Sequence, residues 1–180
     1  HKLSLVTKRN IATKGLEFGG GGFYTYSDNN YKMESPFEEG LIIKRNHDKF
    51  KKLAVAGSLK ARKWWFDLVE FEPVFIHTFK EIQGIEYNIE KAHTYSDAFI
   101  FANKLEKENF LTEGLDMESN LAYAYTVFHM VDTAAYRYNW DGTTYPAVSE
   151  YGGEIGKWDL ECQKRETHHH PQVASELCDQ

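Results

Sequence analysis

A histidine and an aspartate three residues apart are the pair in this sequence best suited to acid–base chemistry. His129 and Asp132 lie between Tyr125 and Tyr136, and the four positions are spaced 4, 3 and 4. On a helix this spacing places all four side chains on one face. A carboxylate beside an imidazole fixes its tautomer and raises its basicity, as a general base requires. The spacing therefore predicts catalytic roles for His129 and Asp132, and the competing interpretation is a pair that only stabilises the helix.

Two further histidine patterns could bind a metal, and both are weak. Glu90 and His93 have the Glu-x-x-His spacing of di-iron helical bundles, but the second copy that such bundles need is missing. The histidine run at 168–170 precedes Pro171 and is typical of a solvated tail that binds divalent ions loosely. We therefore predict no metal cofactor, and a metal-dependent or His-Asp hydrolase is the second alternative function.

The element that must position His129 is predicted to be a long helix over about 117–139. Its apolar stripe recurs at spacings of 4, 3, 4, 3, 4 and 3, which is the period of a helix face. The stripe consists of Met117, Leu121, Ala124, Phe128, Val131, Ala135 and Tyr138. Gly114 before it and Asp141-Gly142 after it are suitable boundaries.

The rest of the chain reads as strands first and helices later. Short strands are predicted at Lys2–Thr7, Phe23–Tyr26 and Trp64–Phe71, with a glycine-rich loop at Gly15–Gly22. Helical spacing is found over 47–62, after the Thr78–Glu81 capping box, and after Ser96. This order predicts an α+β fold, with a mainly α fold as the alternative.

Length and composition predict one folded domain. The chain has 180 residues, of which 42% are hydrophobic, and this is within the globular range. We expect a single globular domain over 1–160 and a polar C-terminal tail over 161–180. No apolar run is long enough for a membrane-spanning helix, so no transmembrane segment is predicted.

The formal charge of −6 is unevenly distributed. Only Asp48 offsets eight basic residues between Lys44 and Lys63, a segment that predicts contact with a protein partner or an anionic surface. The basic residues are Lys44, Arg45, Lys49, Lys51, Lys52, Lys60, Arg62 and Lys63. A dedicated nucleic-acid-binding protein is not expected, because such proteins are usually basic overall.

The first residue and the cysteines bear on the compartment. The chain starts at His1, and we expect a leader to have been removed and the protein to be secreted. Cys162 and Cys178 are its two cysteines. In a secreted protein they could form a disulfide worth about 3 kcal/mol, whereas in the cytosol they would be free thiols.

The segment Gly15-Leu-Glu-Phe-Gly-Gly-Gly-Gly-Phe-Tyr-Thr-Tyr-Ser-Asp28 resembles a motif of the ADP-ribosyltransferase-like superfamily. In that superfamily a glycine-rich turn leads into a strand whose tyrosine stacks on the nicotinamide of NAD. The resemblance implies that Tyr24 has this role, that Gly20, Gly21 and Gly22 admit the pyrophosphate, and that Arg9 on the first strand holds the ribose. It also implies an α+β fold and a catalytic glutamate, for which Glu150 and Glu154 are the candidates.

The resemblance implies a secreted toxin or effector with NAD-dependent ADP-ribosyl transfer or NAD glycohydrolase activity. A glutamate would stabilise the oxocarbenium-like ribose as nicotinamide leaves. The alternative is a non-catalytic secreted binding or effector protein that uses the basic, aromatic-flanked segment as its interaction surface.

Overall fold

A computed structural model of the chain describes residues 1–35, 39–84, 87–147, 153–155, 159–168 and 173–178, the last two ranges as strand backbone. Almost all of this part of the chain is β-structure, and its one helical element is a short 3-10 helix at Ala12–Lys14. The predicted α+β fold with a helix-rich half is therefore wrong, and so is the mainly α alternative.

The described strands are numbered in chain order. They are β1 (Lys2–Ile11), β2 (Leu16–Ser27), β3 (Tyr31–Glu34), β4 (Ile42–Arg45), β5 (Phe50–Arg62), β6 (Leu68–Glu81), β7 (His93–Lys107), β8 (Met117–Val131), β9 (Tyr136–Tyr138), β10 (Thr144–Pro146), β11 (Asp159–His168) and β12 (Val173–Cys178). Eight of them form one antiparallel sheet in the order β1-β2-β5-β6-β7-β8-β11-β12. The pairs β3–β4 and β9–β10 form two small sheets.

The predicted long helix over 117–139 is instead strand β8, followed by the short strand β9. Its sequence satisfies two periods at once, because Ala124 and Phe128, on the opposite face of the strand from Leu121, supply apolar residues to the helical stripe. The odd-numbered residues, which include Tyr123, Tyr125 and Val127, alternate with the even ones as a strand requires. Their aromatic and β-branched side chains favour a pleated sheet, and pairing along the whole of β7 satisfies the backbone.

The three shorter predicted helices are wrong for the same reason. Residues 47–62 contain β5, the Thr78–Glu81 capping box is the end of β6, and the segment after Ser96 lies within β7. The short strands predicted at Lys2–Thr7 and Phe23–Tyr26 lie inside β1 and β2. Trp64–Phe71 is only partly a strand, since β6 begins at Leu68.

The glycine run predicted as a loop is the middle of β2. Gly21 and Gly22 lie where neighbouring backbone approaches closely. A Cβ atom at Gly21 would lie 2.9 Å from the Leu5 carbonyl oxygen, and one at Gly22 would lie 2.8 Å from the Ala54 carbonyl oxygen. The glycines therefore let three strands pack closely. This close packing explains why glycine occurs at these positions, and no phosphate ligand is needed to explain it.

The two faces of the large sheet differ in side-chain type. The register places the odd-numbered residues of β1, β5, β6, β7 and β8 on one face, together with the even-numbered residues of β2. This face carries most of the aromatic side chains, and we call it the apolar face. The opposite face carries mainly small and charged residues, with larger apolar ones such as Phe23, Ile76 and Phe128 among them, and we call it the small-residue face.

The two ends of the sheet differ in the length of their connections. Short connections at 12–15, 63–67 and 108–116 lie at one end, the turn end. The connections at 28–49, 82–92 and 132–158 are longer, and all lie at the other end, the loop end. Functional groups that depend on loops are therefore concentrated at the loop end.

The predicted boundary between domain and tail falls inside the large sheet. Strand β11 begins at Asp159, pairs with β8, and continues through 161–168. Cys162 and Cys178 are paired residues of β11 and β12. Paired antiparallel residues have Cα atoms about 4.5–5.5 Å apart, a separation that a disulfide can span. A Cys162–Cys178 disulfide stays a prediction.

At the turn end, the stability that Asp67 contributes should depend on pH. Its carboxylate accepts hydrogen bonds from the Glu108 backbone N–H at 2.8 Å and the Lys107 ammonium at 3.4 Å. The backbone hydrogen bond, followed by the charge of Lys107, holds the pKa of Asp67 below its usual range. A lowered pKa means that the stabilisation is complete above the usual aspartate pKa and is lost as pH falls through the folded-state value.

We therefore expect Asp67→Asn to lower the midpoint of urea unfolding near pH 7, and to lower it progressively less as the pH is reduced below 4. Asp48→Asn is the control, because the Asp48 atom that accepts a hydrogen bond from Asn29 Nδ2, at 2.9 Å, is its backbone carbonyl oxygen, which the substitution keeps. A pH-independent difference between wild type and Asp67→Asn would contradict the role assigned to the carboxylate.

Candidate functional site

The structure separates His129 from Asp132. His129 lies on the apolar face at the loop end, where its ring stacks on Tyr95 with centroids 4.4 Å apart and planes 10° from parallel. Asp132 follows the last residue of β8 and is fully buried, with 0% exposure. The helical i, i+3 geometry that motivated a base-and-orienter pair is absent, because residues 117–131 form a strand.

Asp132 instead fixes the long loop that follows it. Its two carboxylate oxygens accept hydrogen bonds from the backbone N–H groups of Glu154 at 2.6 Å and Ile155 at 2.7 Å. Both contacts satisfy backbone donors that would otherwise be costly to bury. The geometry assigns Asp132 a structural role at the loop end.

Glu154 extends this network to the neighbouring loop. Its carboxylate is 5% exposed and accepts hydrogen bonds from the backbone N–H groups of Glu90 at 3.2 Å, Lys91 at 3.0 Å and Ala92 at 3.0 Å. The Ala92 carbonyl oxygen in turn lies 2.7 Å from His47 Nε2. The buried carboxylates of Asp132 and Glu154, together with His47, thus join the three long loops, and the catalytic role of Glu154 stays a prediction. Glu150, the other predicted catalytic glutamate, lies outside the described residues.

The predicted NAD-binding residues are spread over the apolar face. Tyr24 is exposed near the loop end of β2, and Arg9 lies on the edge strand β1, paired with Phe18. The backbones of Gly20, Gly21 and Gly22 lie between β1 and β5. These residues do not share a cleft with Glu154 in the loop network. NAD binding stays a prediction that rests on the local resemblance alone.

The basic segment Lys44–Lys63 does not form one surface. Lys51 and Lys52 point to opposite faces of β5 and lie over the rings of Phe79 and Phe23, at 5.7 and 5.9 Å from the ring centroids. Lys60 forms an ion pair with Glu70. Lys49 Nζ lies 3.5 Å from Glu81. An anionic partner would therefore meet only part of the predicted charge.

The most extensive feature of the described residues is a charge-free band on the apolar face. It covers four successive positions on each of β2, β5, β6, β7 and β8, and no Asp, Glu, Lys, Arg or His occurs among these positions. The band consists of Leu16, Phe18, Gly20, Gly22, Val55, Gly57, Leu59, Ala61, Val69, Phe71, Pro73, Phe75, Phe99, Phe101, Asn103, Leu105, Ser119, Leu121, Tyr123 and Tyr125.

The band is half-buried on average, with five of its large side chains exposed, although such side chains would ordinarily form a core. Every exposed large apolar side chain of β2, β5, β6 and β7 lies on the apolar face, and Phe18, Val55, Phe71, Phe75 and Phe99 lie in the band itself. The whole chain exposes 12686 Å², whereas a compact monomer of its mass would expose about 9,000 Å². Within the described residues, neither small sheet packs extensively on the large one. The described part of the chain therefore supplies no second layer of the kind that usually covers an apolar face.

Aromatic groups mark both limits of the band. Towards the loop end lie Tyr24 and Tyr26, the stacked Tyr95 and His129, and Phe79, with the His77–Asp97 pair at 2.7 Å. The Tyr26 hydroxyl donates to Asp28 at 2.5 Å, and this hydrogen bond raises the pKa of Tyr26. Towards the turn end, Trp64 and Trp65 are largely exposed in the 63–67 connection.

Sequence reasoning missed this band because it assigned the strands to helices. The signal was present as alternation, for example in the odd-numbered run from Val69 to Phe79, where five of the six residues are apolar. Pro73 lies within β6, opposite Phe101.

The described residues contain no group of three or more His, Cys, Asp or Glu side chains that could hold a metal ion. No helix in the described part of the chain has the length and apolar character to cross a membrane. No protein-family model, no curated protein and no solved structure matches the chain. The function must therefore be inferred from the geometry of the sheet.

Proposed function

We propose that this chain is a non-catalytic, membrane-associated protein whose apolar face contacts lipid hydrocarbon. The partly exposed charge-free band on the apolar face is the observation that carries the proposal. Contiguous exposed apolar surface of this kind is rare on monomeric proteins in water and marks contact with a membrane or a partner. The absence of charge over the whole band favours lipid, since protein interfaces usually combine an apolar centre with a polar rim.

The extent of the charge-free band along the strands is compatible with contact to lipid hydrocarbon. From Phe99 to Leu105 the charge-free band advances six residues along β7, or about 20 Å, which exceeds the hydrocarbon depth of one leaflet. The hydrocarbon core of a bilayer is about 30 Å thick. The aromatic groups that lie on either side of the band have the amphipathic character of residues at the boundary between hydrocarbon and headgroups.

The backbone is also compatible with a water-free environment. Each of β2, β5, β6, β7 and β8 has a hydrogen-bonded neighbour on both sides, so the strands that carry the band leave few unpaired N–H and C=O groups. An unpaired backbone N–H or C=O group is costly in hydrocarbon, because no water is present to form a hydrogen bond with it.

Fluorescence quenching by brominated lipids would test the proposal directly. In a variant whose native tryptophans are replaced by phenylalanine, a single tryptophan is introduced by Phe75→Trp on the apolar face. The full chain is then reconstituted into phosphatidylcholine vesicles whose acyl chains carry bromine near the bilayer centre. We expect strong quenching, because Phe75 is exposed and lies within the charge-free band.

Val74→Trp in the same background is the matched control. Val74 is the preceding residue of β6 and lies on the small-residue face, so its tryptophan should be quenched much less. Equal quenching at the two positions, or none at either in protein that co-floats with vesicles, would overturn the proposal. Failure of the folded protein to associate with vesicles would overturn it as well.

A further inference from the structure

The small-residue face contains a trough that the proposed lipid contact does not use. Its volume is about 760 Å³, and its walls are formed by β1, β2, β5 and β6. Pockets of this size ordinarily accommodate small-molecule ligands. The trough is wide because Gly19 and Gly21 of β2 lie beside Ala54, Ala56 and Ser58 of β5.

The middle of the trough is apolar. Val6, Val74 and Ile76 line it together with the alanines and glycines. Residues that are paired across β1, β2, β5 and β6 form a row of the register. The two successive rows that contain Val74 and Ile76 include no charged residue of these strands. A ligand seated there would bury an apolar chain about as long as these two rows.

The loop end of the trough is cationic. Lys2 and Lys52 lie on either side of Phe23, with their ammonium groups 5.5 and 5.9 Å from its ring centroid. The same row of the register continues through Thr25 and Thr78 and contains no carboxylate on these strands. Two converging ammonium groups beside hydroxyls favour an anion.

The turn end of the trough is balanced in charge. Lys8 and Glu72 lie in one row there, and Lys8 Nζ forms an ion pair with Glu17 at 2.7 Å. From Lys52 the chain advances six residues, about 20 Å, to Ser58 in this row. The trough therefore presents positive charge at one end, an apolar middle, and no net attraction for an anion at the other end.

We propose that the trough binds an anionic amphiphile, with its carboxylate between Lys2 and Lys52 and its alkyl chain over Gly21 and Ala56. Charge complementarity selects the head group, and the row of small residues makes room for the tail. This site lies on the opposite face from the proposed lipid contact and rests on different residues.

Titration calorimetry with dodecanoate, below its micellar concentration, would test the site. The full chain is kept in a buffer or non-ionic detergent in which it is monodisperse. We expect saturable binding of dodecanoate and at least about tenfold weaker binding of dodecanol, which lacks the charge. Equal affinities for the two compounds, or no binding of dodecanoate, would overturn the proposal.

Neighbouring residues on opposite faces supply the matched variants. Lys52→Glu should weaken dodecanoate binding by at least about tenfold, whereas Lys51→Glu, on the apolar face, should change it less than about twofold. Ala56→Phe should block the trough, and Val55→Phe should not. If Ala56→Phe fails to fold by circular dichroism, the comparison of Lys52 with Lys51 decides, and equal effects of these two variants would refute the site. Dodecanoate binding does not depend on vesicles, so this proposal and the lipid contact can fail separately.

Discussion

Asp132→Ala should lower the free energy of unfolding by about 3 kcal/mol or more. The side chain is fully buried, and its two oxygens accept hydrogen bonds from the backbone N–H groups of Glu154 and Ile155. Alanine would leave both donors without their acceptor and would open a cavity at the end of β8. Hydrogen bonds to a charged acceptor contribute about 1.5–3 kcal/mol each, and an unsatisfied buried donor adds its own cost.

Chemical denaturation in urea, monitored by circular dichroism, measures this loss. Asp116→Ala is the control, because that exposed carboxylate accepts a single backbone hydrogen bond, from Asn109 at 3.1 Å, and should cost less than about 1 kcal/mol. Similar losses for the two variants would refute the structural role of Asp132.

The same network predicts non-additive losses at Asp132 and Glu154. Asp132 holds the backbone of Glu154, and the Glu154 carboxylate holds the N–H groups of residues 90–92. Once Asp132 is removed, Glu154 is no longer positioned, so the double alanine variant should lose less stability than the two single variants added together.

Local patterns in the sequence located some strands but hid the longest ones. Lys2–Thr7 and Phe23–Tyr26 were recognisable because their alternation is not overlaid by a second period. In β8 the residues at 117, 121 and 131 fit a helix and a strand equally well, and apolar residues of the small-residue face completed the false helical stripe. Pairing with β7, which the sequence of β8 alone cannot show, decides between the two.

The hydrogen bonds that join the long loops could not be predicted from the sequence, for a different reason. Glu154 binds backbone groups 62 to 64 residues away, and a glutamate in a glycine-rich loop reads as a catalytic residue or a solvated one. Asp132 was singled out for a helical partnership with His129 that a strand cannot provide. The apolar face could have been read from alternation, whereas its exposure follows only from the single-layer sheet.

Charge in the middle of the apolar face should abolish association with vesicles. Phe75 and Phe99 are paired residues of β6 and β7, both exposed, in the loop-end row of the charge-free band. We expect the double variant Phe75→Lys, Phe99→Lys to lose nearly all vesicle-bound protein in flotation on neutral phosphatidylcholine. A lysine held in hydrocarbon costs about 2.5–3.5 kcal/mol, so two would weaken association by more than about a thousandfold if both remained buried.

Because both substituted side chains are exposed, a loss of flotation by the double variant reports on lipid contact and not on misfolding. Because Phe75 and Phe99 are already accessible, their replacement opens no closed core, and the strand circular dichroism of the variant should persist. Ser58→Lys adds a charge to the small-residue face of β5, where Ser58 is exposed, and should leave flotation unchanged. Flotation of the double variant at the wild-type level would show that the band does not face lipid. If Ser58→Lys also lost vesicle flotation, added charge in general would explain the effect. The apolar face would then contact something other than lipid.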